Sequence, residues 1–252
     1  MSFRVAIPAR YGASRLPGKP LVKIAGKPLI VHVCERALAS AAAEVWVATD
    51  DERIAEACAG LDVKIALTSA AHASGTDRVA EVAAREAWAE DDIVLDLQGD
   101  EPLMPAMAID AAAASLASDP RAAMATLAVR LFDVEAFRDP HVVKVVTDCS
   151  GNALYFSRAP LPRPREAASG VPEQTLRHVG LYAFRVATLA RFALEPPCDL
   201  ERAEGLEQLR ALWLGMRLRV EVVADIPMAA VDTPEDVKQV EDLLAAEREA
   251  RA

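Results

Sequence analysis

Between Phe3 and Leu97 the chain alternates strand-like and helix-like segments, and no other property limits its possible folds so strongly. Apolar runs at Phe3–Ile7, Glu44–Thr49, Val63–Leu67 and Asp92–Leu97 predict strands, the last nearly continuous in Ile, Val and Leu. Between them, Lys27–Ser40, Asp50–Gly60 and Thr76–Ala89 carry apolar residues at helical spacing. In Lys27–Ser40 the stripe is Leu29, Ile30, Val33, Cys34, Ala37 and Leu38, with Pro28 suited to a first turn. Strand and helix in alternation require right-handed crossovers, hence an α/β protein with a mostly parallel central sheet flanked by helices.

The second half is richer in strands. Met124–Val129, Val142–Thr147, Ala153–Phe156, Val179–Phe184 and Leu218–Val223 are strand-like, and Ser150-Gly151-Asn152 reads as a hairpin turn. Leu206–Leu214 is helical, and Arg158–Pro172, rich in Pro and Arg, predicts an exposed loop. Thr233–Arg251 predicts a charged amphipathic helix with Thr233 as N-cap and Pro234 at the first position. No linker or repeat divides the chain, so residues 1–252 are expected to form one domain, with a smaller strand-rich subregion at about 142–186.

The loop after the first strand concentrates positive charge. Arg10, Arg15 and Lys19 stand on one short segment shaped by Gly12, Pro17, Gly18 and Pro20. Arginine grips phosphate with a planar fork and lysine adds a compact charge, so this loop suits a polyphosphate. It is not a P-loop, because Gly18-Lys19 is followed by Pro20 instead of Ser or Thr, and it lacks the dinucleotide Gly-x-Gly-x-x-Gly pattern.

The rest of the composition narrows the partners. The chain has 252 residues, a net charge of −10 and a pI near 5.0, which argues against general binding to nucleic acid or an anionic membrane. An anionic ligand must therefore be drawn by the local basic loop. No apolar run approaches membrane-spanning length, and the N-terminus enters a strand without a signal-peptide pattern. Cys34, Cys58, Cys149 and Cys198 are scattered, which fits a reducing cytoplasm better than a zinc site or a disulfide framework.

Two acidic motifs complement the loop. Asp96-Leu-Gln-Gly-Asp-Glu-Pro-Leu103 ends a strand and places Asp100 just past its carboxyl edge, while Val231-Asp232-Thr-Pro-Glu-Asp236 precedes the last helix. Two carboxylates from distant segments suit a Mg²⁺ ion shared with phosphates; a strand-to-helix turn and a helix cap are the structural alternatives. Ser74-Gly75-Thr-Asp-Arg78 opens a helix whose N-terminus, with Arg78, suits an anion or nucleotide. Gln98 offers an amide to a hydroxyl or base, and Gly99 permits a close turn. A third group comprises Arg158 and His178, donors for a carboxylate, with Tyr182, Glu207 and Gln208 for hydroxyls; His178 is equally readable as a structural histidine.

Ile7-Pro-Ala-Arg-Tyr-Gly-Ala-Ser-Arg-Leu-Pro-Gly-Lys-Pro-Leu21 resembles the signature of the sugar nucleotidyltransferases, and in detail that of the 3-deoxy-D-manno-octulosonate (KDO) cytidylyltransferases. Ala13-Ser14-Arg15 keeps the hydroxyl and the cation of that signature. The resemblance runs along the chain and implies a Rossmann-like nucleotide-diphospho-sugar transferase fold. It implies transfer of CMP from CTP to KDO with release of pyrophosphate, for lipopolysaccharide synthesis, by a cytoplasmic homodimer. It assigns Ala9, Arg10, Ser14, Lys19, Ser74, Gly75, Arg78 and Asp100 to the nucleotide, and Asp100 and Asp232 to magnesium. Arg10, Arg15 and Lys19 are expected to hold the triphosphate, and Gln98, Arg158, His178, Tyr182, Glu207 and Gln208 to bind the sugar acid. Another sugar acid (a sialic acid or the 8-amino analogue of KDO) and a nucleotide-binding module without turnover are the alternatives.

Overall fold

The computed structural model describes residues 2–12, 16–165, 170–224, 226 and 230–251. Strand β1 (Phe3–Ala9) leads through a 3-10 turn (Lys19–Leu21) and the short hairpin of β2 (Lys23–Ile24) and β3 (Lys27–Pro28) into helix α1 (Leu29–Leu38). Then follow β4 (Glu44–Thr49), α2 (Glu52–Cys58), β5 (Lys64–Leu67), α3 (Gly75–Arg85) and β6 (Ile93–Leu97). Helices α1 and α2 start two residues later than the sequence suggests. Pro28 has extended backbone and stands before α1, and Asp51 caps α2 by accepting from the Arg53 N–H.

The second half adds α4 (Ala106–Ser118), β7 (Met124–Arg130), α5 (Val134–Arg138), β8 (Lys144–Thr147), β9 (Ala153–Ser157), β10 (Leu176–Arg185), α6 (Val186–Leu194), α7 (Asp199–Glu204), α8 (Gln208–Trp213), β11 (Leu218–Val223) and α9 (Pro234–Arg251). The main sheet runs β11-β7-β10-β6-β1-β4-β5. Its pairs are parallel except where β10 lies antiparallel between β6 and β7. Residues 142–186 divide in two: β9 pairs with β8 and β8 pairs with the first residues of β10, while β10 itself belongs to the main sheet.

Helices α1 and α4 cover one face, packing on Val5, Ile7, Leu95, Leu97 and Leu127. Helices α3 and α6 cover the other, which carries Ala6, Trp46, Val94 and Phe184. Helix α9 belongs to neither layer. Its Val240 and Leu244, with Val231 before it, pack on Ile24, Leu29 and Leu103. Burying each such side chain contributes about 1.5–3 kcal/mol, which suffices to dock the end of the chain beside the start of α1.

From β1 the chain moves outward to β4 and β5, then returns to β6 on the other side of β1. At such a reversal the loops leave the carboxyl ends of neighbouring strands in opposite directions and open a crevice between them. The basic loop follows β1, and Gln98, Gly99 and Asp100 follow β6. Both therefore stand at this crevice.

Candidate active site

A cleft of about 270 Å³ occupies the crevice. It is lined by Pro8, Ala9 and Arg10 from the end of β1, Lys19 from the 3-10 turn, Ser74, Gly75 and Arg78 from the start of α3, Gln98, Gly99 and Asp100 after β6, and Asp232 before α9. Every expected nucleotide residue among the described residues lies here; Ser14 and Arg15 lie outside the described residues. Close backbone contact shapes the floor. A Cβ on Gly99 would fall 2.7 Å from the Pro8 carbonyl oxygen, so only glycine allows the loops after β1 and β6 to approach.

Lys19 joins the two acidic motifs. Its Nζ donates to Asp100 Oδ2 at 2.6 Å and to Asp232 Oδ1 at 3.0 Å. Burial alone would lower the Lys19 pKa; the charges of Asp100 and then Asp232 outweigh it and raise the pKa above its ordinary value. Asp232 is aimed by its surroundings. Asp236 Oδ2 accepts from the main-chain N–H groups of Asp232 and Thr233, at 2.9 and 2.7 Å, and the Asp236 N–H returns to Thr233 Oγ1. The Val231 N–H donates to the Asp100 carbonyl at 2.9 Å and ties the two motifs together. The expected cap at Thr233 is thus present, and it orients the carboxylate beside it.

The wall formed by α3 is pre-set. Ser74 caps the helix by accepting from the Asp77 N–H, and Asp77 reciprocates by accepting from the Ser74 N–H, both at 3.1 Å. This capping box accounts for the acid in the Ser-Gly-Thr-Asp-Arg motif. Arg78 is buried and held from behind, donating to Asp50 Oδ2 at 3.0 Å and to the Thr68 hydroxyl. Asp50 also accepts from the Tyr11 N–H at 3.4 Å, so the same ion pair anchors the start of the basic loop.

The residues expected to meet a sugar acid divide. Gln98 lines the cleft, and its Nε2 donates to Asp96 Oδ1 at 2.8 Å. Asp96, fully buried on β6, also meets the Thr76 hydroxyl at 3.0 Å, and the other side of that hydroxyl lies 2.9 Å from Glu207 Oε2. Burial, then the charge of Glu207, pushes Asp96 up to about 8. Burial raises Glu207 as well, and it raises the Tyr182 phenol with help from Glu207 and Asp96, so Tyr182 stays a hydrogen-bond donor. Gln208 is buried at the start of α8.

Arg158 and His178 do not form a charged clamp on the cleft. Arg158 donates through Nε to the Glu204 carbonyl at 2.7 Å and through Nη1 to the Pro140 carbonyl at 2.9 Å, with the Gly205 carbonyl at 3.4 Å from Nη2. Its guanidinium ties the Pro140 turn to the end of α7. His178 is buried, packs edge-on against Phe156 and lies 3.0 Å through Nε2 from the Thr126 hydroxyl. That hydroxyl bonds the Val179 and Leu181 carbonyls at the β10 bulge, so its lone pair receives the His178 Nε2–H. Burial pushes His178 down to about 3, so the ring is neutral. The residues that sequence reading missed are Thr76 and Asp96, although a carboxylate inside the apolar run Ile-Val-Leu-Asp-Leu was a visible signal.

Comparison with known proteins agrees with this geometry. Residues 5–218 match the family model described as cytidylyltransferase. A 3-deoxy-manno-octulosonate cytidylyltransferase of Thioalkalivibrio sulfidiphilus is 52% identical over 250 residues, which cover 98% of this chain and 100% of that protein. The chain belongs to the 3-deoxy-manno-octulosonate cytidylyltransferases. A second such cytidylyltransferase, from Pseudomonas syringae pv. syringae, is 51% identical over 251 residues, covering 96% of this chain and 98% of its own. The solved structure of CMP:2-keto-3-deoxy-manno-octonic acid synthetase complexed with CTP superposes with a TM-score of 0.88 at 43% identity, covering 98% of this chain and 99% of that one. The 4-diphosphocytidyl-2C-methyl-D-erythritol synthase, at 16% identity and a TM-score of 0.65 over 97% of this chain and all of its own, shares the fold.

Proposed function

We propose that this cytidylyltransferase transfers CMP from CTP to the anomeric hydroxyl of KDO, in the cytoplasm and as a homodimer, with magnesium at Asp100 and Asp232. One observation carries the reading: two carboxylates from segments far apart in the chain converge on one ammonium group, at the sheet crevice, under a basic loop. The Lys19 ammonium already marks the space between Asp100 and Asp232 as a seat for positive charge. Mg²⁺ is a hard cation usually bound by one or two carboxylates, with phosphate oxygens and water completing its shell, and this oxygen-only pair fits it. When bound, the ion would neutralise charge on the triphosphate.

The chain's own groups then have distinct tasks. Arg10, Arg15 and Lys19 hold the triphosphate and stabilise the pyrophosphate as it leaves. The anomeric oxygen forms its bond to the α-phosphorus in line with the bond to the leaving oxygen that breaks. Positioning and charge neutralisation provide most of the acceleration in such a transfer, and no general base is required of the protein. The Ser74–Gly75 turn and Arg78 form the nucleotide wall. Gln98, Tyr182, Glu207 and Gln208 supply the polar side where a polyhydroxy acid would lie, and Arg158 and His178 build its frame.

The test is pyrophosphate release from CTP, with and without KDO and with and without Mg²⁺, using UTP and N-acetylneuraminate as controls. Release that needs CTP, KDO and Mg²⁺ together is the expected result. Release with another sugar acid but not with KDO would overturn the substrate, and CTP binding without any release would leave a nucleotide-binding module.

A further inference from the structure

We infer that Asp96 is a positioning residue that shares one proton with Glu207 through the Thr76 hydroxyl and thereby holds the Glu207 carboxylate in place beside the cleft. The geometry requires the proton. Thr76 Oγ1 lies 3.0 Å from Asp96 Oδ2 and 2.9 Å from Glu207 Oε2. A hydroxyl has a single hydrogen, so it donates to one carboxylate only. With both carboxylates ionised, the second contact sets a lone pair against a lone pair. With one carboxyl protonated, both contacts become hydrogen bonds running in the same direction.

The surroundings choose Asp96 as the holder. It is fully buried, whereas Glu207 has the Arg210 guanidinium 3.7 Å away. The remaining neighbours divide, with Asp77 alone opposing this choice and the Ser74 hydroxyl, hydrogen-bonded to Glu207, lowering Glu207 by more than Asp77 raises it. Asp100 lies on the loop beyond β6 and raises Asp96; Asp77 on α3 raises Glu207; Tyr182 on β10 faces both as a neutral phenol. The chain of donors therefore runs from Asp96 Oδ2–H to Thr76 Oγ1, and from the Thr76 hydroxyl to Glu207 Oε2.

This direction has a consequence at the cleft. Asp96 Oδ1 accepts from the Gln98 NH₂ in either protonation state; the proton on Oδ2 adds the bond to Thr76, without which Thr76 sets a lone pair against a carboxylate and the Glu207 contact is disturbed. The Gln98 carbonyl oxygen is left pointing toward the start of α3, where a Cβ on Gly75 would meet it at 3.2 Å. Gln98 thus offers the ligand an acceptor and selects a hydroxyl or amine donor. Asp96→Asn preserves this arrangement without a titratable proton, because its amide donates to Thr76 and its carbonyl accepts from Gln98. The effect on turnover rests on the function proposed above; the proton itself does not.

Two readouts on the full chain test the inference. Infrared difference spectra of wild type against D96N should show the carbonyl band of a protonated carboxyl group at neutral pH, fading as pH rises past about 8. Pyrophosphate release should decline over the same range in wild type, while D96N keeps its neutral-pH rate and lacks that decline. Thr76→Val should lower kcat/KM for the sugar acid by about tenfold, and Thr76→Ser should restore it. Absence of the band overturns the shared proton, whatever the enzyme does. An alkaline decline retained in D96N, or D96N as impaired as Asp96→Leu, overturns the positioning role. If wild type releases no pyrophosphate, the proposed function fails and the infrared band alone decides the proton.

Discussion

Asp100 and Asp96 stand four residues apart at the end of one strand, yet their charges are answered in opposite ways. Asp100 and Asp232 open on the cleft and receive a cation, the Lys19 ammonium. Asp96 and Glu207 lie beneath it, where among the described residues no cation is hydrogen-bonded to Asp96, and the pair is balanced by a proton. Water access decides between the two. A partly solvated carboxylate remains ionised and attracts positive charge, whereas a buried one adjoining a second carboxylate is neutralised in place. One crevice therefore contains a pair that suits a metal and a pair that suits a hydrogen-bonded sugar.

Breaking the first pair should have the largest effect. Asp100→Ala should reduce Mg²⁺-dependent turnover roughly 10²-fold or more, as expected for losing a few kcal/mol of charge stabilisation. Its thermal midpoint should barely move, because a pair of this exposure contributes only about 0–1 kcal/mol. Lys19→Met sharpens the contrast: it should slow turnover yet tighten Mg²⁺ binding without nucleotide, by roughly severalfold in calorimetry, since the competing ammonium is gone. Equal weakening of both would show that Lys19 does not occupy the cation's place.

The buried pair should respond chiefly to pH. The folded-state pKa of Asp96 is raised from 3.8 to about 8, so the native state holds a proton that the unfolded chain releases. The stability this contributes is complete below the lower value and is lost as pH climbs to the upper one. Denaturation midpoints of wild type should fall across that window, and those of D96N should fall less. Arg158→Lys should cost about 0.5–1.5 kcal/mol by losing hydrogen bonds to the Glu204 and Pro140 carbonyls, with CTP affinity unchanged in titration calorimetry. The smallest effect belongs to His178, whose ring resonances should stay fixed from about pH 5 to 8 in NMR, because its pKa lies near 3.

The sheet and the cleft were legible for physical reasons that differ from those hiding the rest. Strand periodicity, and the loops that follow strand ends, are local properties, so β1, β4, β6, the basic loop and Asp100 could be read directly. Asp232 was visible because a helix cap has a short-range signature. Helix α4 escaped because Ala106–Ser118 is nearly uniform in small apolar residues and has little polar contrast around its axis. The partners that Arg158 and His178 have in this structure were not legible, because a polar side chain looks the same in sequence whether it meets a ligand, a main-chain carbonyl or a hydroxyl. The proton shared by Asp96 and Glu207 was hidden for a related reason: it depends on Thr76 and Glu207 meeting in space, which no spacing displays.

Asp232 reaches the cleft only because Val231, Val240 and Leu244 seat the final helix against Ile24, Leu29 and Leu103. The carboxylate that completes the cation seat thus lies 213 residues along the chain from Lys19. Whatever seats α9 therefore also assembles the cation seat.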